Sequence, residues 1–371
     1  MSNQTTSPSR SACRWGILGA AFIARKNWQS IRDAGNAELV AVASRDQARA
    51  QAFIDECQAQ VPHPHKPEAL GSYEELLSRK DIDAVYIPLP TGLRKEWVIR
   101  AAEAGKHVLV EKPVGCDAAD VEEILAACER HQVQFMDGVM FMHGKRLQRL
   151  RGVVDQEVAP IRHLASQFSF LAGEDFQQTN IRSHGTLEPL GALGDLGWYC
   201  LRFTLWAMGE TEPLRATGRI HAEARSADAP PVPLAFSGTL EFAGGVSATY
   251  YCSFNAAHAQ WAVVSGEKGL LQLSDFVLPF AGDRTRYTVT HSQFDIDGCQ
   301  ADMHAGRQDE AVEEPSNNAP GSQESALFQD FSQLVLDGRL DPSWGHISLV
   351  TQRALDACLR SARENGAPVE L

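Results

Sequence analysis

An alternation running from residue 14 to about residue 140 constrains this chain more than any other feature. Apolar runs of strand length, at residues 15–18, 39–43, 84–87, 108–110 and 135–136, are separated by segments such as 93–104 and 118–131, whose apolar residues recur at three- and four-residue spacing. Strand and helix repeated in this way predict a parallel sheet with helices on both faces and right-handed crossovers. Beyond about residue 160 the texture changes. Residues 161–171, 234–242, 246–254 and 262–273 are rich in Val, Tyr, Phe, Thr and Ser, with Gly244-Gly245 and Gly266-Glu267-Lys268-Gly269 as turn chemistry. They predict antiparallel hairpins. The acidic, polar stretch 301–322 reads as a surface loop, and two helices, at about 324–337 and 346–364, close the chain, stopped by Gly338 and Gly366. With 371 residues there is room for two such units. The expected division is residues 13–140 and 141–371, preceded by a disordered polar arm over residues 1–12.

Composition removes several classes of function. Acidic residues exceed basic ones by 47 to 34, a formal charge of −13, which repels phosphate backbones and anionic lipid surfaces. Nucleic acid and membrane are therefore not expected partners. The most apolar window, 190–209, carries Asp195, Arg202 and several glycines, too polar for an uninterrupted span, and residues 1–12 lack the apolar stretch of a secretory signal. Eight cysteines stand singly with no Cys-x-x-Cys, so neither a disulfide framework nor a zinc site is suggested, and a reducing cytoplasm fits best. His63-Pro64-His65 has no further ligands at suitable spacing, so no metal is expected and a surface loop is the plainer reading.

The first strand leads into Gly19-Ala20-Ala21-Phe22-Ile23-Ala24 and then a helical pattern. In a dinucleotide-binding turn the first glycine makes the bend, the second lets backbone approach a pyrophosphate and the third lets the helix pack closely. Here Gly19 holds the first place, and Ala21 and Ala24 the others, which leaves the helix N-terminus and its amides available to phosphate. Close packing alone also produces such turns. About 20 residues on, where NAD sites offer a carboxylate to the ribose, the chain has Ser44-Arg45. Ser can donate to a 2′-phosphate and Arg can pair with it, so NADP is favoured over NAD. The plainer alternative for Arg45 is a solvated helix start, with Asp46 as the cap.

Two further constellations carry chemistry. What reads as the fourth strand ends Val108-Leu109-Val110-Glu111-Lys112-Pro113, and a Lys at the carboxyl end of a parallel strand points into the ligand crevice. A salt bridge to Glu111 is the alternative, and Pro113 makes a cis peptide accessible. Later, Gly194-Asp195-Leu196-Gly197-Trp198-Tyr199 opens an apolar helix, placing Asp195 and Tyr199 four residues apart on one face. The ordinary reading is Asp195 as an N-cap and Tyr199 as core. Trp198 and Trp206 read as packing. Arg182 and His184, upstream, are further candidates to line a pocket.

Taken in order, the turn Trp15 to Ala24, the Tyr86-Ile87-Pro88-Leu89-Pro90 strand end, the Ala104 to Pro113 segment, the Gly194 to Tyr199 helix start and the terminal helix through Arg363 resemble the glucose-fructose oxidoreductase, inositol dehydrogenase and rhizopine-catabolism (Gfo/Idh/MocA) family. The resemblance implies a Rossmann domain and a C-terminal α+β domain whose large, open, mostly antiparallel sheet makes a homodimer or homotetramer. It further implies nicotinamide-dependent oxidation or reduction of a sugar, cyclitol or related diol. By position, Lys112, Asp195 and Tyr199 are catalytic, and Gly19, Ala21, Phe22, Ile23, Ser44, Arg45, Pro88, Leu89, Pro90, Glu111 and Lys112 bind cofactor. Tyr at 199 looks like the glucose-fructose oxidoreductase and dihydrodiol dehydrogenase branches rather than inositol dehydrogenases. Many members carry Asn and His where this chain has Thr91 and Arg94. A free phenol titrates near 10, so Lys112 is expected to lower Tyr199 and make it an acid/base at neutral pH, with Asp195 orienting the substrate. Two alternatives use the same fold: a non-catalytic nucleotide or sugar sensor, and a nicotinamide-dependent glycosidase.

Overall fold

The computed structural model describes residues 11–173, 176, 180–224, 229–316 and 319–371. All but the last two residues of the expected N-terminal arm lie outside them. The N-terminal half runs β1 (Cys13–Leu18), α1 (Phe22–Asp33), β2 (Ala37–Ala43), α2 (Gln47–Gln60), β3 (Glu68–Leu70), α3 (Tyr73–Ser78), β4 (Ala84–Ile87), α4 (Thr91–Glu103), β5 (His107–Val110), α5 (Ala118–Arg130) and β6 (Phe135–Asp137). The strands form one parallel sheet in the order β3-β2-β1-β4-β5-β6. Being covered on both faces, β4 is buried throughout, which is why such strands read as continuous apolar runs. Strand β3 escaped the sequence reading because it is only three residues long and begins with an exposed Glu68. The strand that ends in Glu111-Lys112 is therefore the fifth, not the fourth. Strand order reverses between β1 and β4, and a crevice opens there at the carboxyl ends of the strands.

The rest of the chain contributes α6 (Lys145–Val153), β7 (Ile161–Leu171), α7 (Trp198–Ala207), β8 (Arg215–Ala224), β9 (Val232–Glu241), β10 (Ser247–Ser253), β11 (Asn255–Gly266), β12 (Leu270–Leu273), β13 (Arg284–Thr290), β14 (Gln293–Asp297), β15 (Gln300–His304), β16 (Arg307–Glu313), α8 (Gln323–Leu336), α9 (Ser343–Arg363) and β17 (Val369–Glu370). Nine strands make an open sheet in the order β16-β13-β12-β11-β7-β10-β9-β8-β17, and β14 and β15 pair separately. The β9–β10 and β11–β12 hairpins fall where turn chemistry placed them. Strand β7 departs from the hairpin expectation. It lies between β10 and β11, parallel to the first and antiparallel to the second, because the excursion that carries α7 separates it from the next strand. Residues 301–322 are also not simply a loop. Most of β15 and all of β16 fall within them, and β16 pairs along its length with β13. Its run of charges belongs to an edge strand facing water, which hid the alternation.

Helix α7 is buried over its whole length, between the open sheet and α9. Its Arg202, fully buried, forms a bidentate pair with Asp137 at the end of β6, at 3.1 and 2.6 Å. The remaining donors of Arg202 reach Thr351 and Ser348 of α9, and Trp198 gives its indole N–H to the same carboxylate at 3.3 Å. Trp198 thus packs and also donates. Helix α8 returns to the N-terminal half, where Phe328 and Phe331 pack on Trp15 at 5.2 and 5.0 Å between ring centroids. A second ring-lined site is His63, buried edge-on to Trp28 with Nε2 3.0 Å from the Trp28 carbonyl oxygen, so its side chain is core rather than surface. Removing one partner of a buried ion pair strands the other charge. Arg202→Met should lower unfolding free energy by about 3–5 kcal/mol, read from urea denaturation, and a change under 1 kcal/mol would deny the pair its structural role.

Candidate functional site

Two adjoining cavities, of about 1100 and 510 Å³, occupy the crevice at the switch in strand order and share Ala21, Phe22, Pro88, Leu89, Pro90 and Ile181 on their walls. The larger begins at Gly19, whose φ of +114° is open to glycine and strained for other residues. A Cβ there would also meet Leu89 at 2.9 Å. Helix α1 follows with Ala21 as its N-cap, no side-chain capping bond and no acidic residue in its first turn. Its first amides and positive dipole end are therefore free for an anion. Across the cavity lie Ser44 and Arg45 at the end of β2, joined by Arg49 one turn into α2. Asp46 caps α2 by accepting from the Ala48 N–H at 2.9 Å, while Arg45, just before that cap, and Arg49, in the first turn of the helix, stand exposed. Sequence reading missed Arg49, although its spacing from Arg45 was visible. A glycine-led turn, a bare helix N-terminus and two unshielded guanidiniums suit a dinucleotide with an extra phosphate. The residues present fit that cofactor.

The smaller cavity brings together Ile23, Glu111, Lys112, Asp195, Tyr199 and Arg182. The Lys112–Pro113 peptide is cis. Lys112 does not pair with its neighbour Glu111. It crosses to the other half of the chain, donating from Nζ to Oδ1 and to the backbone carbonyl of Asp195 at 2.6 and 2.7 Å. Asp195 is not an N-cap either. It sits in a π-type turn, Leu193–Gly197, that runs directly into α7, and its Oδ2 takes Nε of Arg182 at 2.9 Å. Burial would raise this carboxyl, but Lys112 and Arg182 outweigh it and hold Asp195 down at about 2. Glu111 meanwhile accepts from the Tyr86 hydroxyl at 2.6 Å, and Asn27 donates to that hydroxyl oxygen at 2.6 Å.

Tyr199 lies under the ammonium of Lys112, 4.6 Å from Nζ to the ring centroid, with its hydroxyl 3.8 Å from Met140 Sδ. The expectation that Lys112 brings the phenol toward neutrality fails. Burial first, then the charges of Glu111 and Asp195, push the Tyr199 phenol well above 10, with Arg182 the opposing cation. Lys112 is committed to Asp195 and faces the ring rather than the hydroxyl. At neutral pH the phenol keeps its proton.

The segment before α7 is clasped to the N-terminal half. Glu188 accepts from both the backbone N–H and the hydroxyl of Thr91, and Gly92 N–H donates to the Leu187 carbonyl at 3.0 Å. Arg94, buried, donates to the carbonyls of Leu89 and Pro113 and so ties two strand ends together. Of the two upstream candidates, Arg182 reaches the site and His184 does not. Its Nδ1 accepts from Thr186 N–H at 3.3 Å, and it lines neither cavity. His258 does line the smaller cavity, aimed there by an irregularity of β11 between Asn255 and Ala259. Nothing in the linear pattern marks it.

A family model described as an oxidoreductase family with NAD-binding Rossmann fold matches residues 13–139, and a model for the GFO/IDH/MocA C-terminal domain matches residues 147–272. The D-xylose 1-dehydrogenase (NADP(+)) 2 of Haloferax volcanii is 33% identical over 258 residues, covering 70% of this chain and 74% of that protein. The trans-1,2-dihydrobenzene-1,2-diol dehydrogenase of Bos taurus is 33% identical over 269 residues, covering 71% and 75%. Among solved structures, KijD10, a 3-ketoreductase from Actinomadura kijaniata in complex with NADP and TDP-benzene, superposes with a TM-score of 0.76 at 25% identity, covering 94% of this chain and 97% of that one.

The charge on Asp195 has a measurable signature. Held at about 2 in the fold against an ordinary 3.8, it contributes stability that is complete above pH 3.8 and lost as pH falls through 2. The acid limb of a stability profile should therefore be shallower for Asp195→Asn than for the wild type between pH 4 and 2. Parallel limbs would show that the two cations do not hold the carboxylate.

Proposed function

Because the chain belongs to the Gfo/Idh/MocA oxidoreductase family, we propose that it uses NADP to interconvert a hydroxyl and a carbonyl on a sugar, cyclitol or related diol or hydroxy ketone, with Tyr199 as the proton-transfer residue. The observation that supports this reading best is the meeting of Lys112, from the end of β5, with Asp195 and Tyr199, from the start of α7, on one cavity wall beside the α1 turn. Bound nicotinamide supplies the hydride for reduction or accepts it in oxidation. The neutral phenol of Tyr199 gives its proton to the carbonyl oxygen as that oxygen gains charge. Asp195, ionised between Lys112 and Arg182, holds a neighbouring hydroxyl of the substrate and fixes its orientation. Lys112 keeps Asp195 in place and covers the ring of Tyr199. Phe168, Phe170 and Met140 wall the cavity and keep water from the reacting carbon.

The larger cavity is read as the adenosine end, with Ser44, Arg45 and Arg49 receiving the 2′-phosphate. NADP appears in the name of the xylose dehydrogenase relative and with KijD10, in agreement with that charge. Residues 13–140 then serve as the dinucleotide domain and residues 141–371 as the substrate and oligomerisation domain, the open face of the nine-stranded sheet being the surface for a homodimer or homotetramer. The Tyr at 199 supports a place near the dihydrodiol dehydrogenases, and dTDP-sugar 3-reductases are comparably similar. Three chemically matched groups on one cavity speak for catalysis over a sensor of the same fold. No helix of the described residues is long and apolar enough to cross a membrane.

Cofactor oxidation against a panel of keto sugars, followed at the absorbance of the reduced nicotinamide, tests this reading. Tyr199→Phe should lower kcat about 10²–10⁴-fold with little change in KM, and unchanged turnover would remove the phenol from the chemistry. Reduction should be flat between pH 6 and 9, whereas oxidation should climb with pH, since the phenol must first lose a proton it holds tightly. Replacing Arg45 and Arg49 together by Ala should raise KM for NADPH at least tenfold and leave KM for NADH nearly unchanged, a result that a shared loss for both cofactors would contradict.

A further inference from the structure

The smaller cavity holds one more ion pair, on the wall formed by α1 and α8. Lys26, one turn beyond Ile23 on α1, meets Glu324 in the first turn of α8 with Nζ 2.6 Å from Oε1. Both line the cavity that contains Lys112, Asp195 and Tyr199. Glu324 is 2% exposed, and its other oxygen, Oε2, is buried with no hydrogen-bond partner among the described residues. A carboxyl oxygen buried without a hydrogen-bond partner is costly. Its position is well fixed: Ser322 caps α8, Gln323 donates to the Val277 carbonyl at 2.8 Å, and Phe328 is seated on Trp15.

Resting on the reading of this cavity as the hydride-transfer site, we propose that Lys26 and Glu324 form a donor–acceptor clamp for a neutral polar group of a bound ligand. The pair is electrically balanced, so it does not select an anion or a cation. Oε2 of Glu324 accepts one hydrogen bond, and the N–H groups of Lys26 not given to Glu324 are free to donate. A group that donates and accepts side by side completes both. Two sources present that chemistry here: the primary carboxamide of nicotinamide and a hydroxyl of the substrate. Both residues are positioning residues, distant in role from the proton transfer at Tyr199. No local sequence signal pairs them, since nearly 300 residues separate them in the chain.

Glu324→Gln keeps size and shape. Its carbonyl oxygen turns to Lys26 and its amide N–H₂ faces the cavity, so a donor stands where an acceptor stood. Fluorescence titration with NADPH, titration with adenosine 2′,5′-bisphosphate as a probe lacking nicotinamide, and KM for a keto-sugar substrate together separate the cases, with Lys26→Gln as the second variant. If the carboxamide is held, the variants weaken NADPH binding about tenfold or more and leave the bisphosphate unaffected. If a substrate hydroxyl is held, NADPH binding is unchanged and KM rises by a similar factor while kcat falls less. Unchanged NADPH binding with unchanged KM overturns the proposal, and so does equal weakening of NADPH and the bisphosphate, which marks a purely structural role. A wild-type chain that binds no NADPH overturns the reading of the cavity and this inference together, whereas wild-type NADPH binding and wild-type KM that the variants both reproduce overturn this inference alone.

Discussion

The bidentate contact between Asp137 and Arg202 underlies the rest of the molecule. Asp137 ends the sixth strand of the parallel sheet, and Arg202 belongs to the buried helix of the second half. Both are fully buried, so each charge depends on the other, and Ser348 and Thr351 of α9 take donors that would otherwise be stranded. A guanidinium suits this place because its planar fork meets a carboxylate at two points and fixes direction as well as distance. Tyr199 lies one turn before Arg202 and Asp195 two turns before it. The contact therefore sets where both of them stand relative to Lys112, just past the end of the neighbouring strand.

The cavity that results is governed by alternating charge. Lys112 and Arg182 bracket Asp195 and keep it ionised despite its burial. That arrangement commits the nearest cation to Asp195, while Glu111, bonded to the Tyr86 hydroxyl, adds negative charge near the phenol. The electrostatics therefore favour a phenol that keeps its proton. The direction of that preference follows from who pairs with whom, and pairing was the part least visible beforehand: a Lys beside a Glu in sequence bonds to an Asp more than eighty residues away.

Legibility varied with the range of the interaction. Strands buried on both faces announce themselves, and β4 falls at the residues its apolar run marked. Edge strands do not: β16 is nearly all exposed and charged, so its composition mimics a loop, and β3 is too short to show a period. The glycine-led turn was readable because Gly19, the helix after it and Ser44-Arg45 are tied by local geometry and a short crossover. Arg94 was noticed for departing from a pattern, but its bonds to two strand ends depend on the sheet. His258 and Glu324 carried no signal at all, being ordinary residues in a strand and a helix start.

What the amino-acid sequence determined by itself is the class of architecture, the glycine-led turn with its cationic flank, and the short list of titratable groups near it. These rest on periodicity, backbone preference and side-chain chemistry, which act over a few residues. Only the tertiary structure decided that Lys112 pairs with Asp195, that burial and neighbouring charges keep the Tyr199 phenol protonated, that His184 lines neither cavity and that Lys26 and Glu324 meet at the cavity wall. Those outcomes depend on distances between segments remote in the chain, and such distances exist only once both halves are packed together.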